Sequence, residues 1–211
     1  MRAFALLFAL LAGFVGAARA DDGNLIFLQP EFGYQAPRVF TQGQTASYNG
    51  FSYGGSVYYS IGDEEFSIAP FVDYQIGCYS NTANTASREE KLSQKSLVLG
   101  LKAYFGNLFV RAGYGFINSE DKTTGNLNQT ISASGHGLNG GLGFVIPLSR
   151  YVRLEVSADV ENVTYSANPQ AFASQTQVLR MGGTLGLGVL LPSTPPRRSY
   201  FKGAAPAPAI R

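Results

Sequence analysis

The sequence contains no tryptophan and a single cysteine, Cys78, and it has no long hydrophobic run after residue 20. One cysteine cannot form an internal disulfide framework or a cysteine-rich metal site. A transmembrane helix needs about 20 consecutive apolar residues, so helical insertion of the chain after residue 20 is excluded. A net charge of +2 gives no nucleic-acid-binding signal. We therefore expect no nucleic acid partner, no metal and no cofactor.

The first twenty residues, MRAFALLFALLAGFVGAARA, have the pattern of a secretory signal peptide. Arg2 gives a positive start, residues 4–15 form an apolar stretch, and Ala18, Arg19 and Ala20 form a small-x-small cleavage site. A membrane anchor is the alternative, but the apolar run is too short to span a bilayer as a helix. The pattern predicts export and a mature chain that begins at Asp21.

Alternating hydrophobicity and turn residues predict eight β-strands, at residues 24–34, 50–61, 66–78, 93–105, 108–118, 133–146, 152–165 and 178–191. Short connections at residues 62–65, 106–107 and 148–151 alternate with longer polar stretches at residues 35–49, 80–92, 119–132 and 166–177. Outer-membrane barrels combine an even number of antiparallel strands with short periplasmic turns and longer extracellular loops. The predicted fold is an all-β, eight-stranded, antiparallel up-and-down transmembrane β-barrel.

The direction of the apolar faces distinguishes a membrane barrel from a soluble one. Residues 152–161 alternate without a break between apolar side chains and the set Arg153, Glu155, Ser157, Asp159 and Glu161. In a soluble barrel these charges would face water, without a need for the many glycines that share their parity, and the lipocalin Gly-x-Trp signature is impossible without tryptophan. An eight-stranded barrel has an interior only just wide enough to be filled by side chains. We therefore predict that the apolar face contacts lipid.

The charged parity then lines a narrow lumen, where an unpaired ion is costly and must find a partner. It holds four basic and five acidic side chains: Lys102, Arg111, Arg153, Arg180, Glu31, Asp73, Glu155, Asp159 and Glu161. We predict two layers of ion pairs, with Lys102, Arg111 and Glu155 near the periplasmic end and Glu31, Glu161 and Arg180 towards the outer half. Side chains paired in this way would fill the lumen, so a wide channel is not expected.

The segment LKAYFGNLFVRAGYGF, residues 101–116, is a strand-turn-strand hairpin with aromatic residues near its turn. Together with the signal peptide and the loop order, it resembles the small eight-stranded outer-membrane barrels of the OmpA and OmpX kind, over about residues 24–191. We expect a monomer in the outer membrane of a Gram-negative bacterium, surrounded by bilayer lipid and lipopolysaccharide. The resemblance implies anchoring, surface contact through loops or a narrow pore, without one shared activity.

The end of the chain departs from that family, whose members usually finish on an aromatic residue of the last strand. This sequence continues past Leu191 as PSTPPRRSYFKGAAPAPAIR, which holds half of its ten prolines. Such a segment predicts a semi-rigid, basic periplasmic tail over residues 192–211. The tail either has no role or binds peptidoglycan or an acidic partner.

No catalytic, cofactor or metal residues are predicted. Ser134 and His136 share the outward face near the extracellular rim, as a lipid hydrolase would require, but the acid is missing because Glu155 and Glu161 face inward. Charge clusters on the predicted second and third loops could contact a partner or simply be solvated: Arg88, Glu89, Glu90, Lys91, Glu120, Asp121 and Lys122. The leading hypothesis is a non-enzymatic outer-membrane protein that acts in envelope structure or surface interaction through its extracellular loops. A narrow ion-conducting pore and a lipid-modifying enzyme are the alternatives.

Overall fold

The computed structural model describes residues 25–41, 44–62, 65–83, 88–125, 129–149, 151–165 and 176–191. The predicted signal peptide and C-terminal tail lie outside these residues. Within them the chain forms eight strands: β1 Leu25–Thr41, β2 Gln44–Gly62, β3 Phe66–Asn81, β4 Arg88–Phe105, β5 Leu108–Gly125, β6 Gln129–Pro147, β7 Val152–Tyr165 and β8 Thr176–Leu190. No helix in the described ranges has the length and apolar character needed to cross a membrane.

Each strand pairs antiparallel with the next, and β8 pairs with β1, so the sheet closes into a barrel. Closure pairs the backbone groups that an open sheet edge would expose, which a lipid environment requires. The tight turn at Gly106 and Asn107 joins β4 to β5, and Gly106 has a φ of 59°, a left-handed conformation that favours glycine. The predicted fold class is confirmed.

Six of the strands extend well past their predicted ends. Residues 42 and 43 alone separate β1 from β2, and residues 126–128 alone separate β5 from β6. The predicted loops at 35–49, 80–92 and 119–132 are therefore mostly paired strand, which corrects the prediction. In these extensions both faces of the sheet carry polar residues, so the apolar alternation stops although the ladder hydrogen bonds continue. The predicted loop at 166–177 falls mainly on residues 166–175, outside the described residues.

An apolar belt surrounds the barrel on its outward face. On β4 the outward side chains are apolar over residues 97–105 and on β5 over residues 108–116, nine residues each; on β3 they are apolar over residues 66–76, eleven residues. A tilted transmembrane strand needs about 9–11 residues to cross the hydrocarbon core. Side chains such as Leu101 and Leu142 are 56% and 61% exposed in this belt. The belt therefore has the height and the composition of a lipid-facing surface.

Aromatic side chains mark both rims of the belt. Phe51 stacks on Phe32 and meets Tyr34 edge to face at one rim, with centroids 5.4 and 5.3 Å apart. Phe66 and Phe105 pack together at 5.3 Å at the other rim, beside the turns. Aromatic girdles of this kind are typical of the two interfaces of a membrane barrel. We define the membrane-spanning segments as the strand residues between these rims.

Candidate functional site

The lumen contains the nine predicted charged side chains, and the barrel closure places them at three successive levels. Eight of them are less than a tenth exposed, and Arg153 is half-buried. Glycines of the same parity make room for them: a Cβ at Gly141 would lie 2.2 Å from a carboxylate oxygen of Asp159, and one at Gly186 would lie 2.3 Å from the amide of Gln29. The lumen is therefore filled by long polar side chains packed over glycine backbone.

The level nearest the short turns is a cage around Glu155. The Lys102 ammonium lies 3.0 Å from one carboxylate oxygen of Glu155, and an Arg153 nitrogen lies 2.9 Å from the other. The hydroxyls of Tyr58 and Tyr104 donate to that second oxygen at 3.1 and 2.9 Å. Two cations and two hydroxyls thus surround one carboxylate, as a buried charge requires.

Aromatic rings form the walls of this cage. The Arg153 guanidinium lies 4.2 Å from the ring centre of Phe27 and 4.6 Å from that of Tyr104. The Lys102 ammonium lies 4.5 Å from the ring centre of Tyr58. A cation within about 6 Å of an aromatic face is attracted by the ring quadrupole, most strongly where water is excluded. Both cations are therefore held by ring faces as well as by Glu155.

The middle level places one guanidinium among three carboxylates. Arg111 Nε lies 2.9 Å from Asp159 Oδ1, an ionic contact whose N–H is not aligned as a hydrogen bond, and Arg111 Nη1 lies 3.7 Å from Asp73 Oδ2. Gln75 donates to Asp73 at 3.0 Å and to Glu31 at 3.1 Å, which bridges the two acids. Glu31 also accepts from Gln29 and Ser56, each at 2.8 Å.

The third level lies towards the outer half. Arg180 pairs with Glu161, and a second guanidinium nitrogen donates to the Tyr79 hydroxyl at 3.4 Å. Tyr79 donates in turn to Gln35 at 2.5 Å, and Gln35 reaches Gln75 of the middle level at 3.5 Å. The structure thus arranges the nine residues in three levels rather than two, and the Gln35–Gln75 hydrogen bond joins the middle level to the third. The structure places Arg111 beside the aspartates and Glu31 among amide and hydroxyl donors.

Sequence parity places Gln29 and Gln75 in the lumen, but sequence reasoning missed Gln35 and the aromatic residues that complete this network. Phe27 shares the parity of Gln29 and Glu31, Tyr104 that of Lys102, and Phe109 that of Arg111. Parity alone could have assigned them to the lumen. Their pairing with particular ions depends on the barrel register, which the sequence does not encode locally.

Above the belt the strands continue as paired hairpins that carry the predicted surface charges. Lys91 pairs with Glu89 at 2.8 Å and Lys122 with Glu120 at 3.1 Å, all on the outward face and well exposed. These residues lie on β4 and β5, so their assignment to loops is wrong. The sequence alone did not indicate strand here, because both the outward and the inward positions of these segments include polar residues.

The inward members of the two clusters are Glu90 and Asp121. Asn81 donates to Glu90 at 2.5 Å, and the Tyr48 hydroxyl donates to Asp121 at 3.3 Å. Burial and the neighbouring Asp121 carboxylate raise the pKa of Tyr48 above its usual range, so the phenol stays a donor. Only the backbone of Arg88 is described, where it pairs with Gly125.

Ser134 and His136 lie on the outward face of β6 near the upper rim, as their parity predicts. The Ser134 hydroxyl donates to Asn118 Oδ1 at 2.7 Å, and the His136 ring stacks on Tyr114 with centroids 5.9 Å apart. A serine nucleophile needs its hydroxyl directed at a base. The described contacts direct it to an amide instead. Within the described residues, no three His, Cys, Asp or Glu side chains are grouped to hold a metal ion.

The belt, the filled lumen and the rim aromatics define a small transmembrane β-barrel of the outer-membrane class. No family model and no curated protein matches the sequence. Among solved structures the chain is similar to neisserial surface protein A, at 14% identity and a TM-score of 0.49, with 81% of this chain and 100% of that chain covered.

Two further solved structures are similar. Ail, the attachment invasion locus protein of Yersinia pestis, is 13% identical with a TM-score of 0.48, covering 81% of this chain and 100% of that chain. OprG from Pseudomonas aeruginosa is 11% identical with a TM-score of 0.39, covering 80% of this chain and 96% of that chain. At such identities the likeness concerns the fold alone, and no activity is taken from it.

Proposed function

We propose that the protein is a non-enzymatic surface protein of the Gram-negative outer membrane, a monomer held by its belt among bilayer lipid and lipopolysaccharide. It acts through the hairpins that continue beyond the belt. The observation that carries this proposal is the length of the strands. β5 runs from Leu108 to Gly125, yet its apolar outward face ends at Phe116. The remaining nine residues, 117–125, form rigid paired sheet outside the membrane and have no role in spanning it.

The filled lumen favours a structural role for the barrel over the conduction of ions. Lys102, Glu155 and Asp73 are each 2% exposed or less, and the middle and third levels are cross-linked through Gln35 and Gln75. An ion moving through the barrel would have to displace paired charges, which is costly because each displaced partner is left buried and unpaired. The lumen therefore braces the barrel and separates the two sides of the membrane.

The surface of the hairpins is nearly neutral. The two exposed lysines of the clusters each have an acidic neighbour, so no large patch of one sign forms among the described residues. Exposed pairs of this kind contribute only about 0–1 kcal/mol to stability, so they are free to exchange partners. A contact would use shape and hydrogen bonding more than net charge.

Planar-bilayer recording separates this proposal from the narrow pore. We expect no steady conductance from the purified protein. A steady conductance that changes in the Arg111→Ala or Glu155→Ala variant would place ion flow through the lumen and would overturn the proposal. The Lys122→Ala variant is the matched control, because Lys122 lies outside the lumen.

Cysteine labelling tests whether the hairpins face outward from the cell. In a Cys78→Ser background, a membrane-impermeant maleimide added to intact cells is expected to label Lys122→Cys. It should label Asn107→Cys, on the opposite turn, only after lysis. Labelling of Asn107→Cys on intact cells, with Lys122→Cys protected, would contradict the orientation on which the proposed function depends.

Lipid analysis tests the enzyme alternative. Mass spectrometry of lipid A from cells with and without the protein should give the same acyl pattern. A changed pattern that is abolished by Ser134→Ala, and retained by Asn118→Ala, would show a lipid-modifying activity and contradict the proposal.

A further inference from the structure

A cup opens at the hairpin end of the barrel, above the Arg180 and Glu161 level. Together with its open mouth it offers about 360 Å³ of space, of which about 30 Å³ can hold the centre of a water-sized molecule. Its wall is mainly apolar, and the residues that line it are Val39, Leu92, Gln94, Ser119, Asp121, Ile131, Ala133, Tyr165, Thr176 and Val178. Ligand sites are typically concave, mostly apolar and equipped with a few placed polar groups.

The polar groups of the cup form a triad with unused hydrogen-bonding capacity. Gln94 donates its two amide hydrogens to Ser119 at 3.2 Å and to Tyr165 at 2.9 Å, and these two hydroxyls share a hydrogen bond of 2.5 Å. One hydroxyl hydrogen suffices for that last bond, so the other is left over. Gln94 is 2% exposed, and its carbonyl oxygen has no partner among the described residues. The triad thus offers one acceptor and one donor.

The charge around the triad selects against anions. Among the described lining residues only Asp121 is charged, and it is acidic. Burial raises the pKa of Tyr165 to about 12, so its hydroxyl remains protonated and neutral. A carboxylate or phosphate would face the Asp121 carboxylate, and the nearby Arg180 guanidinium beneath the cup is already paired with Glu161.

We propose that the cup is a binding site for a small neutral amphipathic molecule, with a short hydrocarbon body and a head group that both donates and accepts a hydrogen bond, such as an aliphatic alcohol or primary amide. The hydrocarbon contacts Leu92, Ile131 and Val178, and the head group meets the Gln94 carbonyl and the spare hydroxyl hydrogen. The molecule enters from the hairpin side, because the Arg180–Glu161 pair fills the lumen beneath. This site goes beyond the proposed surface function and does not depend on it.

Methyl NMR of the full chain in lipid nanodiscs tests the proposal with 1-hexanol, hexanamide, hexane and hexanoate as probes. Hexanol and hexanamide are expected to shift the methyl signals of Ile131 and Val178 saturably. The Leu142 methyls, which face lipid, report probe that has merely partitioned into the bilayer. Shifts at Ile131 and Val178 no larger than those at Leu142, or hexanoate binding as tightly as hexanol, would overturn the proposal.

Two variants separate the head-group contact from the fit of the hydrocarbon. Gln94→Leu removes the acceptor and should weaken hexanol binding by about 2–13-fold, the equivalent of one neutral hydrogen bond, while hexane binding is unchanged. Gln94→Asn retains an acceptor and should recover part of the hexanol affinity. A Gln94→Leu variant that folds, by its gel mobility, and keeps the wild-type ratio of hexanol to hexane affinity would show that Gln94 is only structural.

Discussion

The burial of Glu155 shows how single residues stabilise the inside of the barrel. A carboxylate at 2% exposure is tolerated because Lys102, Arg153, Tyr58 and Tyr104 all direct positive charge or hydrogen atoms towards it. Removal of one partner leaves part of a buried charge uncompensated, which is the costly case for ion pairs. The same kinds of residue on the hairpin surface are solvated and contribute little.

Lys102→Met is expected to lower the free energy of unfolding by about 3–5 kcal/mol, because Glu155 loses the more deeply buried of its two cations. Lys91→Met, which breaks the exposed pair with Glu89, should change it by less than about 1 kcal/mol. The measurement is urea unfolding in lipid vesicles followed by circular dichroism, since the protein has no tryptophan to report the transition. Equal effects of the two substitutions would contradict the structure of the lumen.

The lipid-facing assignment of single side chains is tested by lysine substitution. Leu101 lies at the middle of the belt on β4 and is 56% exposed. Leu101→Lys should destabilise the folded barrel by about 2–4 kcal/mol, because charge is costly at the bilayer midplane. Asn118→Lys, just above the belt on β5, should cost about 0–1 kcal/mol. Unfolding in vesicles gives both values, and a harmless lysine at position 101 would show that this face does not contact lipid.

At the scale of the strands, each element combines a spanning part and an extension. The spanning part of β4 covers residues 97–105 and has an apolar outward face, whereas residues 88–96 have polar residues on both faces. The extension is held by ladder hydrogen bonds to β5, up to the pair of Arg88 with Gly125. Contact with lipid thus determines which residues occur in the spanning part. Pairing with β5 determines the structure of the extension.

The Gly106–Asn107 turn sets the register of the β4–β5 hairpin. Gly106→Ala should destabilise the barrel by about 1–2 kcal/mol, because its φ of 59° is unfavourable for a residue with a Cβ. The added methyl itself has no atom within 4 Å, so the effect is one of backbone conformation. Gly140→Ala is the control, since it has room and no positive φ, and it should be neutral or slightly stabilising. Urea unfolding distinguishes the two variants.

The sequence predicted the number of strands, the parity of every charged lumen residue and the closed barrel. Alternation along each strand, as over residues 152–161, allowed this prediction because one face must match lipid. It did not predict the strand ends at Thr41 and Gly125, because outside the lipid the outward face becomes polar while the inward face mixes polar and apolar residues, so the period-two signal is lost. It also did not predict that Arg111 meets Asp73 and Asp159, since those contacts depend on the shear of the closed sheet.

At the scale of the whole molecule, the barrel is closed both as a sheet and in its interior. Strand β8 pairs with β1, so the sheet has no open edge, and the lumen is filled by three levels of packed side chains. Both closures favour a state that unfolds as one unit, because local opening would expose unpaired backbone or buried charge to an unfavourable environment.

Gel mobility tests this closure directly. The unheated protein in dodecyl sulfate should migrate differently from the boiled protein, because a closed barrel resists the detergent until it is heated. The Gly143→Pro variant, in which the ladder of β6 is interrupted within the belt, should show only the boiled position. A wild-type band that does not move on boiling would contradict a closed barrel.

The nine residues of β5 beyond Phe116 also determine how far the hairpin projects from the membrane. With a rise of about 3.4 Å per residue and a tilt of about 40°, they stand about 23 Å above the hydrocarbon. A bacterium that coats itself with long polysaccharide chains would bury tips of that height, whereas one with truncated sugars would leave them open to other cells. In the proposed orientation, we therefore expect the thickness of the carbohydrate layer to control access to these tips.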